Sequence, residues 1–443
     1  LPAISRVVEV TTEQTADVMD DYSGSFDPDF ELHHLSRAAL SIVAREIMLG
    51  SHIQDRASIP AVLGSHPIED GFAVAIDEWM TASPVYTRRM QRLMGFEGTG
   101  IPTIFKGLQL DMGFPHQFLD VGYRLHDEHD GEFWLRSCGA LADVRPMGHD
   151  MVVGMCHDIE DPTFDATAVA TNARAQVRPI HRPPEVPMGG PDCHWTISIR
   201  DAHPEAVQHP DLPRMAATKL AATPNDPPPS IDPGGWEDYS RPFDPHFELE
   251  DLSHRALALV ATEFALQGHM VARGCMWSVE RRFGTDEAVE VGRQLFCGVG
   301  WITAARLVDA LGLPDDDPAS IAKVLQIDHV LLLRDYLGLR VEMPDPDTVL
   351  VTLAAEAPAL AEGDAFSVAG LLDLGAREIL ESIAWGVNPR AVVVDAEPSD
   401  GAHAAWTITV GEGPPAAEPV PVQVTRFSNG VTQVFVRRRP LRG

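Results

Sequence analysis

The sequence predicts an α+β protein: two homologous domains in tandem, each with N-terminal helices packed on an antiparallel sheet of about four strands. Three observations lead there. Residues 21–32 (DYSGSFDPDFEL) return at 238–249 as DYSRPFDPHFEL, an offset of 217 positions. Roughly the first hundred residues of each copy place apolar side chains at helical spacing. The second half of each copy reads as short extended runs between turn signals.

The repeat continues along the chain. LSRAALSIVAREIMLGSH (35–52) meets LSHRALALVATEFALQGH (252–269), and KGLQLD (106–111) meets KVLQID (323–328). Asn172 and Arg174 match Asn388 and Arg390, and CHWTISI (193–199) matches AAWTITV (404–410). A period of 217 residues is far too long for a solenoid, so two whole domains are implied. They are expected to form an internal pseudo-twofold pair, with a homo-oligomer as a further option. The expected division is a first copy at 1–200, a linker at 201–235, a second copy at 236–411 and a tail at 412–443.

Within copy one, Phe26-Asp27-Pro28 reads as a turn and helix-start lock, repeated at 243–245 with the nearby Tyr22/Tyr239 pair. The run from Leu35 and the segments 69–94 and 286–312 read as helices. VGYRLHD and GEFWLRSC read as strands joined by a polar turn at Glu128 to Gly131. A helix is expected near 161–171, opening at Asp161-Pro162, followed by the extended runs AQVRPIHRPP and CHWTISI. Trp195 and Trp406 repeat on the last strand as core anchors. The linker ends in ATPNDPPPSIDPGGW, whose three consecutive prolines hold the chain extended. In the tail, VQVTRF and VTQVFV flank Ser428-Asn429-Gly430, which predicts a hairpin. Arg437, Arg438 and Arg439 form a basic end, either solvated or acid-binding.

Of 443 residues, 44% are apolar and 22% charged, enough for a sizeable core. Lys and Arg number 34 against 65 Asp and Glu, a formal charge of −31, which argues against coating nucleic acid or an anionic membrane. Five cysteines do not make a disulfide framework, and an odd count leaves a free thiol. No apolar run is long enough to span a bilayer, and LPAISRVVEV lacks a signal-peptide layout, so a cytoplasmic protein is expected. Walker, Rossmann, HExxH and G-x-S-x-G patterns are absent from the sequence.

The chemistry-bearing residues concentrate in copy one. Cys138, Cys156 and Cys193 all fall in its strand-rich part, and copy two has Ala404-Ala405 where copy one has Cys193-His194. Thirteen of the 18 histidines precede residue 218, among them His116, His126, His129 and His149 in expected loops or strand ends. Thiols beside imidazoles suit either a metal site or a thiol–imidazole catalytic site. Cysteine is also an ordinary buried residue, so a purely structural set stays open. Met147, Met151 and Met155, four apart, read as core packing before a soft-metal set. Cys275 and Cys297 read as buried structural thiols in helices of copy two. Glu46/Glu263 and His52/His269 repeat on one helix, but a spacing of six sets them about 240° apart, which argues against a joint site and leaves either free to face a cleft.

The stretch from Arg136 to Ile197 resembles the L-2-amino-thiazoline-4-carboxylic acid hydrolase-like family. The resemblance rests on Arg136/Cys138 at a strand end, Cys156 with Asp158 and Glu160 after it, Asn172 downstream, and Cys193/Trp195 in a final strand. Gly139 stands where the family has Pro. The resemblance implies an α+β hydrolase that opens a small heterocycle at a C–N bond.

Two mechanisms fit these residues. In one, Cys156 is a nucleophile, with His157, His194 or His149 taking its proton and Glu160 or Asp158 orienting the imidazole or acting as acid. Cys138, His149, Asn172 and His52 are then expected around a small polar or heterocyclic substrate. In the other, Cys138, Cys156 and Cys193 hold one zinc or iron ion, and the domain binds its metal or ligand without turnover. No cofactor beyond such an ion is expected, and copy two serves as scaffold.

Overall fold

The computed structural model describes residues 19–314, 317–438 and 440–442. The N-terminal LPAISRVVEV, unlike a signal peptide, lies outside the described residues, as does Arg439 of the basic end. Copy one runs through α1 (Arg37–Ile53), α2 (Asp55–Leu63), α3 (Ile68–Leu93), α4 (Ile101–Gln109), β1 (Leu119–Leu125) and β2 (Asp130–Cys138). It continues with α5 (Gly139–Val144), α6 (His149–Val153), a π-helical turn at Gly154–Ile159, α7 (Glu160–Val169), β3 (Ala175–His181) and β4 (Cys193–Ile199). Short helices α8 (Leu212–Ala216) and α9 (Lys219–Ala222) follow. Copy two repeats the order: α10 (His254–Phe283), α11 (Thr285–Leu311), α12 (Pro318–Ile327), α13 (Arg334–Leu337), β5 (Leu339–Asp345) and β6 (Thr348–Ala354). It ends with α14 (Val368–Asp373), α15 (Glu378–Val387), β7 (Ala391–Ala396) and β8 (Ala402–Val410), and α16 (Val420–Thr425) lies in the tail. Each copy holds one antiparallel four-stranded sheet, ordered β1-β2-β4-β3 and β5-β6-β8-β7. This is the α+β, two-copy architecture that the repeat predicts.

The helix starts follow capping chemistry. Ser36 and Ser253 accept from the backbone N–H of Ala39 and Ala256, satisfying a donor that has no partner inside the helix. Helix α10, 30 residues long, is apolar and buried around most of its circumference, which makes it a shared core element. It packs on both α1 and α3 of the other copy.

The most closely repeated motifs join the copies. The Tyr22 hydroxyl donates to Gln326 Oε1 at 3.0 Å, and Tyr239 to Gln109 Oε1 at 2.7 Å. Lys106 Nζ donates to the carbonyl of Tyr239 at 2.9 Å, and Lys323 Nζ to that of Gly24. Each DYS arm therefore docks on the other copy's Lys-x-x-Gln helix, α4 or α12. Glu46 and Glu263 do the same work: each pairs across the copies, Glu46 with Arg306 and Glu263 with Arg89.

Strand alternation decides which residues face the helices. On β4, Cys193, Trp195, Ile197 and Ile199 are buried, while His194, Thr196 and Ser198 face the other way. On β2, Gly131, Phe133 and Leu135 point inward, and Glu132 and Trp134 do not.

Two expectations are corrected. The tail forms no hairpin at Ser428–Gly430; Val420–Thr425 is helical and Asn429–Thr432 is a 3-10 turn. The Asn-Gly pair does not take the left-handed conformation that a hairpin turn needs, because Asn429 is bonded to Asp143 instead. The linker is not simply extended. It carries α8 and α9 and buries Leu212, Met215 and Leu220. Among the described residues no helix is long and apolar enough to cross a membrane.

Candidate functional site

The helical and strand layers of copy one enclose a cavity of about 150 Å³ between α1–α3 and the β2–α7 segment. Its walls are mostly apolar: Phe72, Trp79, Phe114, Phe164, and the Met147, Met151 and Met155 stripe. The polar residues on it include His52, Asp55, Arg56, Tyr86, Asp111, Cys138 and Glu160, with Thr163 and Thr167 beside them.

Local sequence opens this space. Where copy two has one continuous helix, α10, copy one breaks at Gln54 between α1 and α2. Pro60 has no N–H to offer the carbonyl of Arg56, and its ring crowds that carbonyl, so the helix cannot continue straight. The residue at the Pro60 position of copy two is Trp277, a large buried side chain. Opposite, the π-helical turn adds a residue to the helix just before Glu160; such turns are frequent at functional sites. Gly154 in this turn lets the Phe72 ring approach closely, since a Cβ there would lie 2.1 Å from it.

Several polar atoms in the cavity wall have no partner. His52 is 5% exposed, and neither ring nitrogen makes a hydrogen bond of normal geometry; a weak backbone contact from Met112 is its nearest help. Burial, and then the Arg56 charge, hold its pKa well below the usual imidazole range, so the ring is neutral. Arg56 Nε donates to Asp143 Oδ2 at 3.1 Å and Nη1 to Asp55, while Nη2 is buried without a partner. Asp143 also accepts from Ser428 Oγ at 2.8 Å and the Asn429 N–H at 2.6 Å, both in the tail. Desolvation raises Glu160 to about 8 against the pull of the Arg182 charge, and its Oε2 has no partner. Burial lifts Asp111 to about 6, although Tyr86 and the Gly113 N–H donate to it at 2.9 and 2.7 Å.

The three cysteines gather around Glu160. Its charge raises each of their pKa values after the larger effect of burial, and Cys138 acts on both of the others. Cys138 is pushed up to about 12, and Cys156 and Cys193 are raised too, so all three are thiols at neutral pH. Only Cys138 lines the cavity, where its sulfur accepts from the Leu141 N–H at 3.3 Å.

Among the described residues no hydrogen bond joins Cys156 to His157, His194 or His149. His157 Nε2 bonds the Pro183 carbonyl at 2.7 Å. His194 sits on the face of β4 opposite to Cys193 and bonds Glu132 at 3.0 Å. His149 is exposed and lines a separate groove with Pro183 and Pro184. Asn172 locks a turn: its Oδ1 accepts from the Arg174 N–H at 2.9 Å, as Asn388 does from Arg390. Among the described residues no group of three or more His, Cys, Asp or Glu is arranged to hold a metal ion. Of the expected zinc or iron set, Cys138 ends a strand, Cys156 lies in the helical turn and Cys193 on a strand face. Of the expected site residues, the structure brings His52, Cys138 and Glu160 to one cavity.

Sequence reasoning missed Arg56, Tyr86, Asp111, Asp143 and Phe427. One signal was available: Arg56 and Asp111 recur as Arg273 and Asp328 at the same 217-residue offset as His52 and His269. In copy two these groups are tied into the core. Arg273 bonds Asp364 at 2.6 Å and the Phe366 carbonyl at 3.0 Å, and His269 bonds the His329 carbonyl at 3.1 Å. The same residue types face a cavity in one copy and a filled core in the other. No family model, no curated protein and no solved structure matches the chain.

Proposed function

We propose that copy one binds a small, neutral, single-ring organic molecule carrying a hydrogen-bonding group, and that copy two is its scaffold. One observation carries this reading: an apolar cavity whose wall holds His52, buried and with neither ring nitrogen in a hydrogen bond beyond a backbone contact with Met112. Such atoms cost roughly 1–3 kcal/mol each when left dry, a cost that a ligand's polar group relieves. A volume of about 150 Å³ suits one aromatic ring. A neutral ligand is supported by the wall, where Arg56 is engaged by Asp55 and Asp143, His52 is uncharged, Glu160 keeps its proton until about pH 8, and Asp111, lifted only to about 6, disfavours an anion. The five free cysteines support a reducing compartment such as the cytoplasm.

Titration with phenol tests the reading. One phenol is expected to bind per chain and raise the melting temperature, and Ala75→Phe, which fills the cavity, is expected to abolish binding. No binding at millimolar phenol, or binding indifferent to Ala75→Phe, would overturn it.

A second reading, hydrolysis of the bound ring, is supported by Glu160. A carboxyl that is still protonated at neutral pH can act as a general acid on a leaving nitrogen. The resemblance of residues 136–197 to the thiazoline hydrolase-like family points the same way. A ring-opened product from candidate heterocycles, lost in Glu160→Gln, is the expected result; binding without product would leave the first reading alone.

A further inference from the structure

The cavity wall contains one residue from far along the chain. Every other lining residue comes from 52–167, but Phe427 belongs to the tail that follows copy two. It is half-buried, so its ring stands where the cavity meets the surface. The chain on its C-terminal side is fixed from both copies. Ser428 and Asn429 donate to Asp143 of copy one, which also receives Arg56 of the cavity wall. Arg306 of copy two donates to the carbonyls of Gly430 and Val431 at 3.3 and 3.0 Å. Gly430 lies flush on copy one: a Cβ there would come within 2.8 Å of Ile53. The backbone that carries the ring cannot withdraw without breaking this set of bonds.

We propose that Phe427 is the size-determining residue of the copy-one cavity, set in place by the tail's bonds to Asp143 and Arg306, and that it restricts the ligand to a single ring. This rests on the reading of the cavity as a ligand site. Shortening the side chain adds about a ring's worth of space at the cavity end without touching His52, Arg56 or Glu160. Enlarging it takes space away.

The test compares phenol with 2-naphthol on the full chain by calorimetric titration. Phe427→Ala is expected to bind 2-naphthol about tenfold or more tighter than the wild type does, so that the preference shifts from phenol to 2-naphthol. Phe427→Trp is expected to weaken phenol about tenfold. If Phe427→Ala fails to fold, Phe427→Leu takes its place, with a smaller gain for 2-naphthol expected. A folded variant that binds phenol yet treats 2-naphthol as the wild type does would overturn the size role and leave the ligand site standing. Failure of every variant and of the wild type to bind either probe would overturn both.

Discussion

Arg89 of copy one grips Glu263 of copy two with two nitrogens, Nη2 at 2.6 Å and Nε at 3.2 Å. The mirror pair, Arg306 and Glu46, stands 217 positions away and makes the same double contact. The Glu263 side chain is 1% exposed, so its charge is compensated by the partner rather than by water. Arg89→Met is therefore expected to destabilise the protein by about 3–5 kcal/mol, the cost of a buried charge left alone. Because the copies exchange helices and arms, urea unfolding is expected to show a single transition. Two separated transitions would mean that the halves fold independently.

The twin architecture was legible because duplication writes itself into the sequence, and strand alternation is a local signal; the helices begin at Ser36 and Ser253, past the Phe-Asp-Pro motifs read as their start. The cavity was not legible, for a physical reason. It is made by what is missing from a helix, the continuity lost at Gln54, and by residues such as Asp143 and Phe427 that meet only in three dimensions. The cysteines drew attention because copy two lacks them, yet they sit among protonated, buried groups. Arg56 was hidden because it recurs in both copies, and recurrence resembles a structural role. The Asn429-Gly430 turn signal misled because a long-range acceptor, Asp143, took the Asn429 donors.

The thiols make a direct chemical prediction. Burial raises the pKa of Cys138, Cys156 and Cys193 and keeps them protonated, and only thiolates attack alkylating reagents well. Native protein at pH 8 is expected to react with iodoacetamide at least about a hundredfold more slowly than the urea-unfolded chain. One fast-reacting native cysteine, located by peptide mapping, would restore the nucleophile reading.

Glu160 sets a pH dependence with a definite sign. Its folded pKa, about 8, lies above the ordinary carboxylate value of 4.5. Between those values the folded state holds a proton that the unfolded state has released. Its stabilising contribution is complete below about pH 4.5 and is lost as pH rises through 8. Relative to Glu160→Gln, the wild type is expected to lose stability steadily from pH 5 to pH 8 in denaturant titrations. Parallel curves for the two proteins would show that Glu160 titrates normally.

Asp143 links the cavity to the tail, since it accepts from Arg56, Ser428 and Asn429 together. Asp143→Ala leaves the buried Arg56 guanidinium with Asp55 alone and frees three tail donors, Ser428 Oγ and the backbone and side-chain N–H of Asn429. A loss of about 3–5 kcal/mol is expected, with faster proteolytic cutting around residues 426–432. A destabilised variant with an unchanged cutting rate there would show that the tail is held by Arg306 without Asp143.

His52 separates stability from function. Its poorly bonded ring, helped only by a backbone contact with Met112, weakens the empty protein, because a buried polar group without a full hydrogen bond keeps its desolvation cost. His52→Phe replaces the ring with an apolar one that suits neighbours already aromatic, Phe118 at 5.5 Å and Trp79 at 6.2 Å. Stability without ligand is expected to rise by about 1 kcal/mol. Phenol affinity is expected to fall about tenfold, as the hydrogen bond to the hydroxyl is lost. A core histidine with no ligand role gives a different pattern, in which stability changes and phenol affinity does not. The opposite movement of the two quantities is therefore the signature of a polar group that is kept unpaired for a ligand.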